Sequence, residues 1–174
     1  IAIICILSNN WHGFCIDIIM DNIKFHLHKV FRETEDVTFY DISVPKSNAS
    51  DLVIHETAAV SPPNDKNDNK QFYIHYHQVD NNRVISGERT FELINFNWDK
   101  PYQIINLKRK SGALMIPKGT YHRSVSGMSG SIVINQAIRD ELFNADMEFK
   151  PVSMVDDHKL NELILNTKPY VINK

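Results

Sequence analysis

The sequence has few cysteines and little of the chemistry that cysteine supports. Only Cys5 and Cys15 occur among its 174 residues, both near the N-terminus. Two cysteines cannot build a disulfide framework, and no CxxC pair is present. We therefore expect two small core residues, which a disulfide would join only if the segment between them folds back as a hairpin.

The sequence also has no large excess of positive or negative charge. Lys and Arg total 19 against 21 Asp and Glu, which gives a formal net charge of −2. Proteins that bind nucleic acid or anionic membranes carry a basic surplus. Neither nucleic acid nor a membrane surface is therefore an expected partner.

No apolar run at the N-terminus is long enough to span a bilayer. The apolar stretch there covers residues 1–7, whereas a transmembrane helix needs about 20 residues. We interpret the stretch as a buried strand. Because the sequence begins with Ile1 rather than methionine, we expect a processed or partial start, and we expect a cytoplasmic protein.

A pattern of short β-strands dominates from residue 71 onward. In 71–77 the side chains alternate, so that Tyr73, His75 and His77 fall on one face of the predicted strand. The further predicted strands are 83–86, 89–96, 102–107, 113–116 and 131–137. The strands at 83–86 and 89–96 flank Gly87 and are predicted to join through a tight turn. Many short strands at close spacing favour an all-β antiparallel barrel or sandwich.

The chain is predicted to form one domain with three parts. Residues 1–60 form an N-terminal extension that packs on the barrel, and a polar, turn-rich loop follows at 61–70. The barrel core covers 71–150, and a C-terminal helix and tail cover 151–174. The helix is expected within 156–166, where apolar residues fall at helical spacing and Asp156 or Asp157 is placed to cap it.

Three histidines form the sharpest chemical feature. His75 and His77 are two positions apart on a predicted strand and would project from the same face. His122 follows a turn formed by Pro117 and Gly119, which would aim the chain back toward the first pair. Neutral imidazole is the commonest metal ligand in proteins. The pattern predicts a metal centre, which we weigh against histidines that act without metal and against a barrel that has no working site.

These residues give the chain a resemblance to the cupin superfamily over 71–137. His75, His77 and Gly87 match the first cupin motif. The second motif is matched by Gly112, Pro117, Gly119 and His122. The resemblance implies an RmlC-like jelly roll, a cupin-type antiparallel β-barrel, and a homodimer. Apolar residues 1–7 would contribute to the pairing of the two copies.

The resemblance also implies one divalent metal ion, held by His75, His77 and His122. Asp80 is the first candidate for a fourth ligand, with Glu88, Glu92 or water as alternatives. Such a ligand set suits Fe, Zn, Ni or Mn. The favoured function is a metal-dependent enzyme, an oxygenase or isomerase, acting on a small organic substrate with His77 and Tyr121 as catalytic residues.

Two other functions stay open. The chain is also similar to metal-free members of the same barrel class, the nucleotide-sugar 3,5-epimerases and 3,4-ketoisomerases. That likeness implies His75 or His77 as the base and Tyr121 or Tyr73 as the acid. It also implies a phosphate contact from one of two arginines, Arg83 or Arg89. The third possibility is a non-catalytic cupin that binds a small ligand.

Overall fold

A computed structural model describes residues 18–20 and 23–174. The predictions about residues 1–7, Cys5 and Cys15 lie outside the described residues. In chain order the strands are β1 (Ile18–Met20), β2 (Ile23–His26), β3 (Lys29–Glu33), β4 (Thr38–Asp41), β5 (Ala49–His55), β6 (Ala59–Ser61), β7 (Gln71–Ile74), β8 (Gln78–Ile94), β9 (Tyr102–Lys108), β10 (Ala113–Ile116), β11 (Tyr121–Ser126), β12 (Ser131–Arg139), β13 (Val152–Ser153) and β14 (Tyr170–Asn173). The α-helices are α1 (Ala145–Glu148) and α2 (His158–Asn166).

The strands form two sheets that share β8. In the first sheet the order is β1-β2-β10-β8-β12-β5, and every pair is antiparallel. In the second sheet β8 lies between β9 and β11, β14 runs parallel to β9, and β6 and β7 both pair with β11. A separate hairpin joins β3 to β4. The predicted all-β jelly roll is therefore confirmed.

Strand β8 is continuous where the sequence predicted two strands and a turn. It runs from Gln78 to Ile94 and passes through Gly87, which has a φ of +72°. A Cβ at Gly87 would lie 2.6 Å from the Gly130 carbonyl oxygen, so only glycine fits there. The prediction of a tight turn at Gly87 was wrong, because the left-handed glycine bends a strand instead of ending one.

A register shift within β8 decides which side chains face inward. The pairing of β8 with β12 shifts between Ile132 and Val133, where Ser86 and Val84 are the successive partners. Ile85 is therefore an extra residue, as in a β-bulge, and it reverses the inward and outward alternation. Even-numbered Asp80 and odd-numbered Arg89 consequently line the same cavity.

The apolar core lies between the two sheets and beneath α2. The larger cluster contains Ile23, Phe25, Val84, Phe91, Leu93, Trp98, Ile105, Leu107, Leu114, Ile116, Val133 and Ile172. The smaller cluster contains Phe72, Ile94, Tyr102, Met154 and Leu160. Full burial of such a side chain stabilises the fold by roughly 1.5–3 kcal/mol. Leu160 carries α2 into this second cluster, which anchors the C-terminal segment to the barrel.

The C-terminal helix is confirmed. Asp157 caps α2, because its Oδ1 accepts from the backbone N–H of Lys159 at 3.0 Å and of Leu160 at 3.1 Å. Such a cap contributes about 1 kcal/mol. Within the predicted N-terminal extension, β2 and β5 pair with β10 and β12 and add strands to the barrel. None of the described helices is long and apolar enough to cross a membrane.

Candidate active site

A cavity of about 380 Å³ lies between the sheets. Its lining includes the titratable groups His75, Asp80 and His122, and also Arg89 with Ser124 beside it. The lining residues are Asp51, Val53, Ser61, Tyr73, His75, Gln78, Asp80, Asn82, Arg89, Phe91, His122, Ser124, Val133, Asn135 and Phe149. Its volume falls in the range of small-molecule sites.

His75, Asp80 and His122 form a buried cluster in this cavity. Asp80 Oδ2 lies 3.6 Å from His75 Nε2 and 3.5 Å from His122 Nε2. The two imidazole ring centroids are 4.7 Å apart. His75 follows β7, Asp80 lies near the start of β8 and His122 lies on β11. Three neighbouring strands thus bring together three of the four residues predicted as metal ligands.

The tautomer of His122 follows from its hydrogen bond. His122 Nδ1 lies 3.1 Å from the Thr120 carbonyl oxygen, which can only accept, so Nδ1 carries the proton. The Nε2 lone pair then faces Asp80 and the cavity. Burial lowers the pKa of His122, and the Asp80 carboxylate opposes that shift only in part. A neutral imidazole of this kind serves as a base or as a metal ligand.

Asp80 is fixed on one side and open on the other. Its Oδ1 accepts hydrogen bonds from Gln78 Nε2 at 2.6 Å and from Asn135 Nδ2 at 2.8 Å. These bonds hold the carboxylate plane and leave Oδ2 directed at the two histidines. Asp80 was the first candidate for a ligand beside the histidines, and the structure places it next to His75 and His122. It lies near the start of β8.

Glu148 is a buried partner of His75 that sequence reasoning missed. Its Oε2 lies 3.4 Å from His75 Nδ1. The carboxylate also accepts from the backbone N–H of Tyr76 at 3.0 Å and of His77 at 3.1 Å. Phe149 packs edge-on against the His75 ring at 5.4 Å. Glu148 ends a short helix far along the chain, and no motif in the sequence marks it.

His77 does not join the cluster. Strand β7 ends at Ile74 and β8 begins at Gln78, so His75 and His77 lie on a turn and not on one strand face. His77 Nδ1 instead lies 3.1 Å from Asp140 Oδ1, and Lys118 Nζ donates to the same carboxylate at 2.5 Å. The prediction that His77 shares a ligand set with His75 is corrected, and its predicted catalytic role loses its geometric basis.

Tyr121 also lies away from the cavity. It immediately precedes His122 on β11 and so faces the opposite side of the sheet. Its hydroxyl donates to Asp157 Oδ2 at 2.7 Å, and burial, followed by that carboxylate, raises the pKa of Tyr121. The predicted catalytic role of Tyr121 is therefore corrected to a contact with the cap of α2.

Tyr73 is the tyrosine that lines the cavity. Its ring lies nearly parallel to that of His75, with 6.3 Å between centroids, and 6.1 Å from that of His122. The sequence left Tyr73 and Tyr121 open as acids. Alternation along β7 and β11 places only Tyr73 beside the two buried histidines.

Of the alternative metal ligands and the two arginines predicted as phosphate contacts, only Arg89 lines the cavity. Glu88 is exposed and pairs with Lys108 Nζ at 3.1 Å. Glu92 accepts from Lys70 Nζ at 2.6 Å, and neither glutamate reaches the cluster. Arg83 donates to the Ile42 carbonyl oxygen at 3.3 Å outside this cavity, whereas Arg89 lines it.

Comparisons with known proteins support the fold. No protein-family model matches the chain, and no curated protein matches it. Solved structures with the same architecture do match. The dTDP-4-dehydrorhamnose 3,5-epimerase from Elizabethkingia anophelis is 11% identical with a TM-score of 0.58, over 79% of each chain.

Two further structures extend this similarity. A dTDP-6-deoxy-D-glucose-3,5-epimerase from Legionella pneumophila is 12% identical with a TM-score of 0.58, over 91% of this chain and 86% of that one. A TDP-quinovose 3,4-ketoisomerase from Campylobacter jejuni is 16% identical with a TM-score of 0.55, over 79% of this chain and 97% of that one. At these identities the likeness shows the fold alone, which is an RmlC-like jelly roll.

Proposed function

We propose that this protein is an epimerase or ketoisomerase that moves a proton on a carbon beside a carbonyl group of a sugar. The observation that carries the proposal is the buried pair of His75 and Glu148, in which His75 lines the cavity. The structures that share its fold include 3,5-epimerases and a 3,4-ketoisomerase of TDP-linked sugars. This assignment favours the alternative from the sequence over the metal-dependent enzyme.

His75 has the geometry of a general base. With Nδ1 directed at Glu148, its Nε2 faces the cavity and Asp80. A proton taken from the substrate would reach Nε2, and the carboxylates on both sides of the ring would share the positive charge. The carbon left behind becomes an enolate whose negative charge rests on the carbonyl oxygen. General base catalysis of this kind contributes roughly 10²–10⁴-fold to a rate.

Tyr73 supplies the second proton transfer. Its ring lies 6.3 Å from that of His75 and lines the same cavity. Tyr73 would donate the proton to the enolate, and delivery to the face opposite the one that lost its proton inverts the centre, which is epimerisation. If the enolate oxygen instead takes the proton of the neighbouring hydroxyl group and the former carbonyl carbon is then protonated, the carbonyl moves along the ring, which is ketoisomerisation. The chain's own side chains supply both proton transfers.

A divalent ion at His75, Asp80 and His122 is the second candidate. Their facing atoms all lie within 4.8 Å of one another, a separation that one shared ion would permit. On the opposite side of the rings, His122 Nδ1 donates to the Thr120 carbonyl oxygen, as metal-bound histidines usually do, and His75 Nδ1 lies 3.4 Å from Glu148 Oε2. The donor set therefore fits a metal. When bound, such an ion would polarise a substrate carbonyl, while Asp80 and the histidines would hold it in place.

Deuterium incorporation tests the proposal. The protein would be incubated in D₂O with nucleotide-linked 4-keto sugars, both neutral and acidic, and the carbons beside the ketone followed by NMR. We expect exchange with at least one sugar, loss of it in His75→Gln, and retention in the matched control His77→Gln. No exchange with any sugar, or equal exchange in His75→Gln, would overturn the proposal. Exchange that disappears on chelation and returns with added metal would favour the second candidate.

A further inference from the structure

Arg89 is a buried guanidinium in the lining of the cavity. It is 1% exposed and all its hydrogen-bond partners are neutral. Nε donates to Ser131 Oγ at 2.6 Å and Nη2 to the Ser131 carbonyl oxygen at 3.2 Å. Nη1 donates to Ser124 Oγ at 3.2 Å and to His55 Nε2 at 3.1 Å. One of the five guanidinium N–H groups remains for another acceptor.

Within the described part of the chain, no carboxylate forms an ion pair with Arg89. Burial lowers its pKa to about 10, so the guanidinium still carries its charge at neutral pH. His55, which accepts from Arg89, has its pKa lowered by burial and then by the arginine charge, and it adds no negative charge. An uncompensated buried charge is strongly unfavourable and is retained where a ligand offsets it.

Two other arginines in the described part of the chain, the buried Arg123 and the partly buried Arg139, have acidic partners. Arg123 Nε lies 3.8 Å from Glu92 Oε2. Arg139 Nη2 lies 2.6 Å from Asp51 Oδ2. Arg89 differs from both because it lines a ligand-sized cavity and faces only neutral oxygen and nitrogen atoms. The negative charge that would balance Arg89 could therefore come from a small molecule bound in the cavity.

Arg89 lies close to the acid–base groups along the barrel wall. Ser124, which contacts Arg89, is two residues from His122 on the same face of β11. Side chains at this spacing are about 6–7 Å apart along a strand. A molecule whose reacting carbon lies at His75 and His122 would therefore place a substituent a few bonds away against Arg89.

We infer that Arg89, with Ser124, forms a subsite for a carboxylate carried by the substrate, so that the cavity selects an acidic sugar. The inference rests on the proposed function and names its substrate class. One negative charge balances the single guanidinium. A phosphate dianion would instead add net negative charge to a cavity region that already holds buried Asp80 and Glu148. Two of the fold neighbours described above are named for a 6-deoxy-D-glucose and for quinovose, so this subsite would distinguish the chain from them.

Thermal unfolding with small probes tests the subsite apart from catalysis. Acetate and acetamide have nearly the same shape and differ in charge, and D-glucuronate and D-glucose form a second such pair. With ionic strength held constant by the bulky HEPES anion, saturating acetate and glucuronate are expected to raise the Tm by about 2–4 °C. The neutral partners are expected to leave it unchanged. Inorganic phosphate is expected to act more weakly than acetate.

Variants decide whether Arg89 is responsible. Arg89→Met is expected to abolish the acetate response, whereas Arg32→Met, which removes an exposed guanidinium beside Phe39, retains it. If Arg89→Met does not fold, the ¹⁵N side-chain signal of Arg89 in the unaltered protein gives the answer, since acetate but not acetamide should move it. An acetate response retained in Arg89→Met, equal responses to both members of a pair, or no response at all would overturn the inference.

The two proposals fail in different ways. If the unaltered protein shows no acetate response while deuterium exchange occurs, the subsite is removed and the proposed function still stands. An intact acetate response without exchange toward any keto sugar removes the proposed function and leaves an anion-binding cavity. The pattern that supports both is exchange with an acidic keto sugar that Arg89→Met weakens chiefly through a higher KM.

Discussion

His75 Nδ1 lies 3.4 Å from Oε2 of Glu148, and this contact joins the turn after β7 to the end of α1. Glu148 also accepts from two backbone N–H groups of the same turn. The carboxylate therefore fixes the turn through its backbone and lies beside the imidazole, whose Nδ1 makes no hydrogen bond within the described residues. With Nδ1 toward Glu148, the ring presents Nε2 to Asp80 and the cavity.

Glu148→Gln should impair proton transfer more than folding. Glutamine keeps an oxygen for the backbone N–H groups but removes the charge beside His75 Nδ1. We expect deuterium exchange at the substrate carbon to slow by roughly 10²-fold, with a changed pH profile and a nearly unchanged KM. Glu148→Ala, which also removes the backbone contacts, should lower the Tm. An unchanged rate in Glu148→Gln would show that the pair has no part in the chemistry.

The two tyrosines should respond in opposite ways to removal of the hydroxyl. Tyr73→Phe is expected to slow product formation by roughly 10²-fold while leaving stability intact, because Tyr73 supplies a proton in the cavity. Tyr121→Phe loses the hydrogen bond to Asp157 and should reduce the free energy of unfolding by about 1–2 kcal/mol with activity retained. Activity and denaturation measured on both variants would check this. The reverse pattern would return the catalytic role to Tyr121.

Metal affinity should depend on His122 and not on His77. Zn²⁺ or Mn²⁺ added to the protein would be followed by calorimetry, with His122→Ala and His77→Ala as a matched pair. If the His75, Asp80 and His122 cluster holds an ion, removal of one ligand should weaken binding by at least 10–100-fold, the range known for outer-shell partners. His77→Ala should bind as the unaltered protein does. Equal losses in both variants would restore His77 to the ligand set.

Stability should fall as the pH drops below about 6.5. Burial lowers the pKa values of His28, His55 and His122 in the folded protein. The unfolded chain therefore takes up these protons first, and acid favours unfolding from 6.5 down to the lowered folded values. Urea denaturation at several pH values between 7.5 and 5 would measure the decline. In His55→Gln the slope should be shallower, and a stability that rises on acidification would contradict these shifts.

The sequence predicts the fold and three residues of the buried cluster, His75, Asp80 and His122. Period-two alternation and turn residues locate the strands, and the second cupin motif places His122 on β11. His75 and Asp80 lie close together in the sequence, and the structure brings both to His122. These features depend on local geometry, which a sequence pattern records directly.

The rest of the site depends on longer-range or irregular structure. The residues of 71–77 alternate like one strand, yet the chain turns after Ile74, which sends His77 to Asp140. The register shift in β8 brings Arg89 to the face that Asp80 also occupies. Glu148 arrives from a distant helix. None of these three outcomes has a periodic signal, because each results from tertiary packing.

The central claim is that His75, oriented by Glu148, removes a proton from a carbon beside a carbonyl group. The most direct measurement is the rate of deuterium incorporation into a nucleotide-linked 4-keto sugar by protein treated with a chelator, compared with His75→Gln. The account predicts rapid exchange in the unaltered protein and a loss of at least about 10²-fold in the variant. Exchange at equal rates in both proteins, or none in either, would contradict it.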